Sequence, residues 1–177
     1  TMGQGKAYLM GASRAEMKEK DWVRFVLSQP FVEEPGTTFC YTNAGPYLLG
    51  ILVARRTGKD LAAYLYEKIF APMGIWFPSW EVDPYRNYFG AGGWMATTKH
   101  LLLFGQLYLN HGIWNRKQIV SADWISESTR EHSRWETQNL SYGYLWWIYR
   151  DRFAAMGDGG NIIYVNTKKK LVVSIAS

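Results

Sequence analysis

The chain has 177 residues, 47% of them hydrophobic, and a net charge of +5. That length holds one domain, or a domain and part of a second, and no apolar run reaches the ~18 residues of a membrane-spanning helix. No basic stripe is interleaved with aromatics, so nucleic acid is not an expected partner, and the lone Cys40 excludes an internal disulfide and reads as a small buried hydrophobe.

Residues 1–12 are glycine-bearing and irregular, and Gly3-Gln4-Gly5 lacks the context of a phosphate loop. Ser13-Arg14-Ala15-Glu16 reads as a capping box that starts a helix through Trp22, Phe25 and Val26, ending before Pro30. Asn43 opens a second helix whose Tyr47, Leu48, Ile51 and Leu52 share one face, with Thr57-Gly58 as its end. Asp60 caps a third helix from Leu61 to Phe70. Residues 76–93 show no period and read as a long packed loop, the kind that tends to be functional. Thr97 or Thr98 caps a fourth helix, stopped by Gly112, and Ser121 caps a short one with Trp124 and Ile125.

The pattern changes after Ser141. Tyr144 to Tyr149 and Phe153 to Met156 read as strands. Asn161 to Val165 and Leu171 to Ile175 form a hairpin around Lys168-Lys169-Lys170, solvated lysines that also discourage edge pairing. The expected class is α+β: a mainly helical part over 1–140, then antiparallel strands over 141–177. Both ends of the chain read as cut, and a sheet this small leaves an apolar face for self-association. His100, His111 and His132 show no metal spacing and take no role.

Several motifs stand in a fixed order. Tyr41-Thr42-Asn43 opens an apolar helix; Leu48-Leu49-Gly50, Thr57-Gly58 and Ile69-Phe70-Ala71-Pro72-Met73-Gly74 follow. Then come Ala91-Gly92-Gly93-Trp94-Met95-Ala96-Thr97, Phe104-Gly105-Gln106-Leu107, Tyr142-Gly143-Tyr144-Leu145-Trp146-Trp147 and Gly157-Asp158-Gly159-Gly160-Asn161. In this order and spacing the chain resembles the serine beta-lactamase and penicillin-binding-protein family, in its class C branch with related esterases and D-aminopeptidases. The resemblance implies an incomplete beta-lactamase-like (DD-peptidase) fold and acyl-enzyme hydrolysis of an amide, ester or beta-lactam in a small molecule or peptide. It implies no metal or organic cofactor. The compartment stays open, since the family has both extracytoplasmic and cytoplasmic members.

The resemblance gives Tyr41 the role of general base and acid, with a neighbouring lysine lowering its pKa from ~10. Asn43 would hold that lysine and the substrate amide. The backbone N–H of Asn161 would supply half of an oxyanion hole, and Asp158, Gly159 and Gly160 would lie beside the substrate. Read as structure alone, Tyr41 is a half-buried contact, Asn43 a helix cap, and the glycines a turn. Two departures stand out. No Ser-x-x-Lys occurs among the 177 residues, and the resemblance places that nucleophile some tens of residues before Thr1. Asp158 stands where the family carries Lys or His, which turns the site away from anionic substrates. A non-catalytic relative, keeping the fold as a binding or regulatory module, is the alternative, and a neutral-ester hydrolase a further one.

Overall fold

The structure is a computed structural model and describes residues 18–31, 33–77 and 79–177. The capping box at Ser13–Glu16 and the Gly3-Gln4-Gly5 segment lie outside the described residues. Contacts divide the chain into two compact units: the described residues of Thr1–Leu65 with Ser79–Met95, and those of Tyr66–Pro78 with Ala96–Ser177.

In the first unit, α1 (Trp22–Leu27) is capped by Asp21, whose side chain accepts from the Arg24 N–H at 2.9 Å. Helix α2 (Ala44–Thr57) ends on Gly58, whose φ of 70° is the left-handed conformation that glycine adopts without a Cβ clash. Its buried face is Ala44, Tyr47, Gly50 and Ile51. Leu52, expected on that face, is 58% exposed. Helix α3 (Leu61–Leu65) follows, with Asp60 Oδ1 accepting from the Ala63 N–H at 2.7 Å. Trp22, Val26, Ala44, Tyr47, Ile51 and Phe89 form the core of this unit. The 79–95 segment is a loop stiffened by two isolated antiparallel bridges, Trp80 to Trp94 and Val82 to Tyr88. It packs tightly on α2: a Cβ at Gly90 would lie 2.6 Å from the Pro46 carbonyl oxygen.

The second unit begins with a π-helical turn, Tyr66–Phe70, where one longer α-helix was expected, and a 3₁₀ turn, Ala71–Met73. Helix α4 (Thr98–Leu109) is capped by Thr97, and α5 (Ala122–Ser128) by Ser121; each hydroxyl accepts from the amide three positions on, that of His100 and of Trp124, at 3.2 Å. A short ribbon pairs β1 (Ile113–Trp114) with β2 (Lys117–Gln118). A six-stranded antiparallel meander follows: β3 (Ser133–Trp135), β4 (Leu140–Tyr142), β5 (Trp147–Tyr149), β6 (Arg152–Gly157), β7 (Asn161–Asn166) and β8 (Leu171–Ile175). The strand expected from Tyr144 starts only at Trp147, because Tyr144 and Leu145 form a turn in which Leu145 has φ 68°.

Helix α4 lies on β7 and β8, and Gly105 permits the approach; a Cβ there would sit 2.6 Å from Val172 Cγ1. Beneath it Tyr108, Ile125, Trp146, Phe153, Ile163 and Val165 form the core. Leu171, Val173 and Ile175 point the other way and stay exposed. Among the described residues no helix is long and apolar enough to cross a membrane.

Candidate active site

The start of α2 carries two of the expected site residues. Asn43 occupies the N-cap position, but its side chain makes no capping bond. Thr42 does that work instead, its Oγ1 accepting from the Ala44 N–H at 3.2 Å. The backbone of Asn43 still serves the helix, since its carbonyl accepts from the Tyr47 N–H at 3.1 Å. Tyr41 is 43% exposed. Beyond Gly45, in the first turn, there is open space where a side chain would begin. Cys40, expected to be buried, is half-buried, with its Sγ 4.0 Å from the Tyr41 carbonyl oxygen.

One turn further into α2 lies a group that sequence reasoning missed. Asp83 is 3% exposed. Its Oδ2 accepts from the Tyr47 hydroxyl at 2.6 Å and from Asn87 Nδ2 at 2.7 Å. Its Oδ1 accepts from the Tyr85 and Asn87 amides, both at 2.8 Å. Four donors on one carboxylate satisfy a charge that burial would otherwise make costly. Burial, and then the adjacent carboxylate, pushes the Tyr47 phenol far above the ordinary tyrosine range. This knot ties the 79–95 loop to the helix that begins beside Tyr41. The local signal was present: Asp83-Pro84 is an Asx-type turn start.

The second unit carries the remaining expected residues. Asp158–Gly160 is a tight 3₁₀ turn between β6 and β7, with Gly159 at φ 76° and Gly160 at φ 90°. Both angles favour glycine, and the space a Cβ would fill is open down to 3.8 Å at Gly159 and 3.9 Å at Gly160. The glycines are thus required by the backbone, and they leave the surface beside the turn clear. Asn161 begins β7; its Nδ2 donates to the Asp158 carbonyl at 2.7 Å, and its Oδ1 accepts from the Ser177 N–H at 3.2 Å. The Asp158 carboxylate is exposed, and no ion pair among the described residues includes it.

Trp146, from the tyrosine-glycine segment, is core, 4.6 Å from the Tyr108 ring and 4.9 Å from Phe153. In the same segment, the exposed rings of Trp124 and Tyr144 stack at 5.5 Å, and Tyr144 stacks on the half-buried His132 at 3.9 Å. Arg130 clamps Glu127 with two bonds of 2.7 and 2.6 Å and holds that carboxyl below its ordinary range. Two shallow clefts, of about 510 Å³ beside Ser141 and Arg152 and about 660 Å³ beside Arg24 and Tyr85, include none of the expected site residues. No group of three His, Cys, Asp or Glu among the described residues could hold a metal ion.

The family model described as "Beta-lactamase" matches residues 1–177. A monacolin J acid methylbutanoyltransferase from Aspergillus terreus (strain NIH 2624 / FGSC A1156) is 39% identical over 66 residues, 37% of this chain and 16% of that protein. Among solved structures, a Bacillus anthracis protein named "putative 6-aminohexanoate-dimer hydrolase" superposes with a TM-score of 0.76 at 25% identity, over 89% of this chain and 44% of that one. An octameric penicillin-binding protein homologue from Pyrococcus abyssi gives 0.64 at 20% identity, over 95% of this chain and 43% of that one. The chain spans less than half the length of each.

Proposed function

The chain belongs to the beta-lactamase family, and from that premise we propose that it is part of a serine enzyme that transfers acyl groups through a seryl ester. The observation that carries the reading is the open start of α2, where Tyr41 is exposed and Asn43 leaves the capping bond to Thr42. In this mechanism a seryl oxygen attacks the acyl carbon while the Tyr41 oxygen takes the seryl proton. Tyr41 then gives that proton to the leaving group, and water repeats the sequence to free the acid. Asn43 orients a lysine and the substrate amide. The N–H of Asn161 donates to the developing oxyanion, with the open Asp158–Gly160 turn beside the substrate. The serine and lysine are not among residues 1–177, which contain no Ser-x-x-Lys; in this reading sequence outside them supplies both.

The substrate class we propose is a neutral ester or amide. The exposed Asp158 disfavours a substrate carboxylate. The test uses the full-length protein. Intact mass with a fluorophosphonate should show one adduct. A short p-nitrophenyl ester should turn over faster than a chromogenic cephalosporin, and Tyr41→Phe should cost ~10²–10⁴ in rate. Faster cephalosporin turnover overturns the substrate class. No adduct and no turnover overturn the enzyme reading in favour of a binding module, which Asp158 also suits. Self-association through the exposed Leu171, Val173 and Ile175 belongs to the same reading and is checked by sedimentation velocity.

A further inference from the structure

The lysine run has a neighbour that sequence order hides. The β7–β8 turn carries Lys168, Lys169 and Lys170, and the β5–β6 turn carries Arg150 just before Arg152 opens β6. Both turns lie at one end of the meander. They are bonded together: the Thr167 N–H and its hydroxyl both donate to the Asp151 carbonyl at 3.2 Å. The lysine turn is itself fixed, because Asn166 Oδ1, on a residue only 2% exposed, accepts from the Lys169 N–H at 2.7 Å. All five cations are exposed, and none has an ion-pair partner among the described residues. Asp151 is the one acid in the two turns. Leu171, 45% exposed, directly follows the third lysine.

We infer that this end of the sheet docks on an anionic lipid surface. A fixed tip with five cations concentrates positive potential where a negatively charged leaflet attracts it within a Debye length. The exposed leucine beside the tip suits the headgroup boundary, which accepts an apolar side chain. A nucleic acid would instead ask for a groove with aromatic platforms for its bases; at this tip Arg152 lies over the Tyr149 ring, 5.3 Å from its centroid, and so occupies one face of it.

The experiment is co-sedimentation of the protein with vesicles of phosphatidylcholine alone or with about 30% phosphatidylglycerol. Binding is expected to the anionic vesicles only, released by high salt. Exchanging all three lysines, Lys168→Gln, Lys169→Gln and Lys170→Gln, should weaken it more than ~10-fold. Arg150→Gln with Arg152→Gln should weaken it as well, because the two turns act as one patch. Arg55→Gln with Arg56→Gln, a control on α2, should change it less than ~3-fold. Far-UV circular dichroism checks that each variant is folded. Equal binding to neutral vesicles, an unchanged triple variant, or an equal loss in the control overturns the proposal. Tighter binding to a short DNA duplex than to the anionic vesicles overturns it in favour of nucleic acid.

Discussion

Two loops of this molecule are each organised around an aspartate, and they use it in opposite ways. Asp83, in the 79–95 loop of the first unit, is buried and receives four donors. Asp158, in the β6–β7 turn of the second unit, is exposed; its backbone carbonyl accepts from Asn161, while its carboxylate has no ion pair among the described residues. A carboxylate whose lone pairs are filled by its own chain is fixed in place and has no capacity left for a ligand. One whose lone pairs face water can meet a substrate. The number of internal donors, more than the residue type, separates the structural aspartate from the candidate functional one.

The strongest test of this contrast is Asp83→Ala. It strands the Tyr47 hydroxyl, the Asn87 amide and two backbone N–H groups, and should cost about 4 kcal/mol in chemical denaturation. A loss below about 1 kcal/mol would mean that solvent reaches the knot and that the comparison is false. The second unit supplies a purely apolar yardstick. Leu107 is fully buried on α4, and Leu107→Ala should cost about 3 kcal/mol. If Asp83→Ala costs less than Leu107→Ala, the polar knot is weaker than ordinary packing.

Tyr47→Phe removes one donor from the knot and keeps the ring, so about 2 kcal/mol is expected near neutrality. Its pH dependence is more diagnostic. The folded protein holds the Tyr47 phenol protonated well above its ordinary range, whereas an unfolded tyrosine ionises near ~10. The stabilisation is therefore complete below pH ~10 and is lost as pH rises beyond it, by about 1.4 kcal/mol per pH unit. Tyr47→Phe should flatten that alkaline fall. An identical fall in both proteins would move the effect to another group.

Much of the fold was legible in the sequence, because caps and breakers are local. Gly58, Asp60, Thr97 and Ser121 mark helix boundaries where the structure has them, and the two apolar runs that flank the lysine turn pair as the expected hairpin. The misses come from contacts distant in sequence. Gly143 is pressed against the Ser128 carbonyl, where a Cβ would lie 2.4 Å away, and the aromatic run after it turns before it can form a strand. Leu52 fits the helical period, yet the packed face of α2 is set by Gly50 against Leu61 and Gly90, so Leu52 stays in solvent. The candidate site was legible as motifs in order. Which side chains bond where was not: Thr42 takes the cap expected of Asn43, and Tyr47 finds Asp83 across 36 positions.

The smallest expected effect falls on the other aspartate. Asp158→Asn removes an exposed charge that the fold does not pair, so stability should change by no more than about 0.5 kcal/mol. Its effect belongs to recognition. A carboxylate at ~4 Å from a substrate anion in water repels it by about 1 kcal/mol, which is about fivefold in rate. In the full-length protein, Asp158→Asn should thus raise kcat/KM about fivefold for a substrate bearing a carboxylate and leave the methyl ester of the same substrate unchanged. Equal gains on both would show that position 158 shapes the turn and does not read charge. A loss of stability above about 1 kcal/mol would show that the Asp158 carboxylate is held by the fold after all, and the distinction between the two loops would fail.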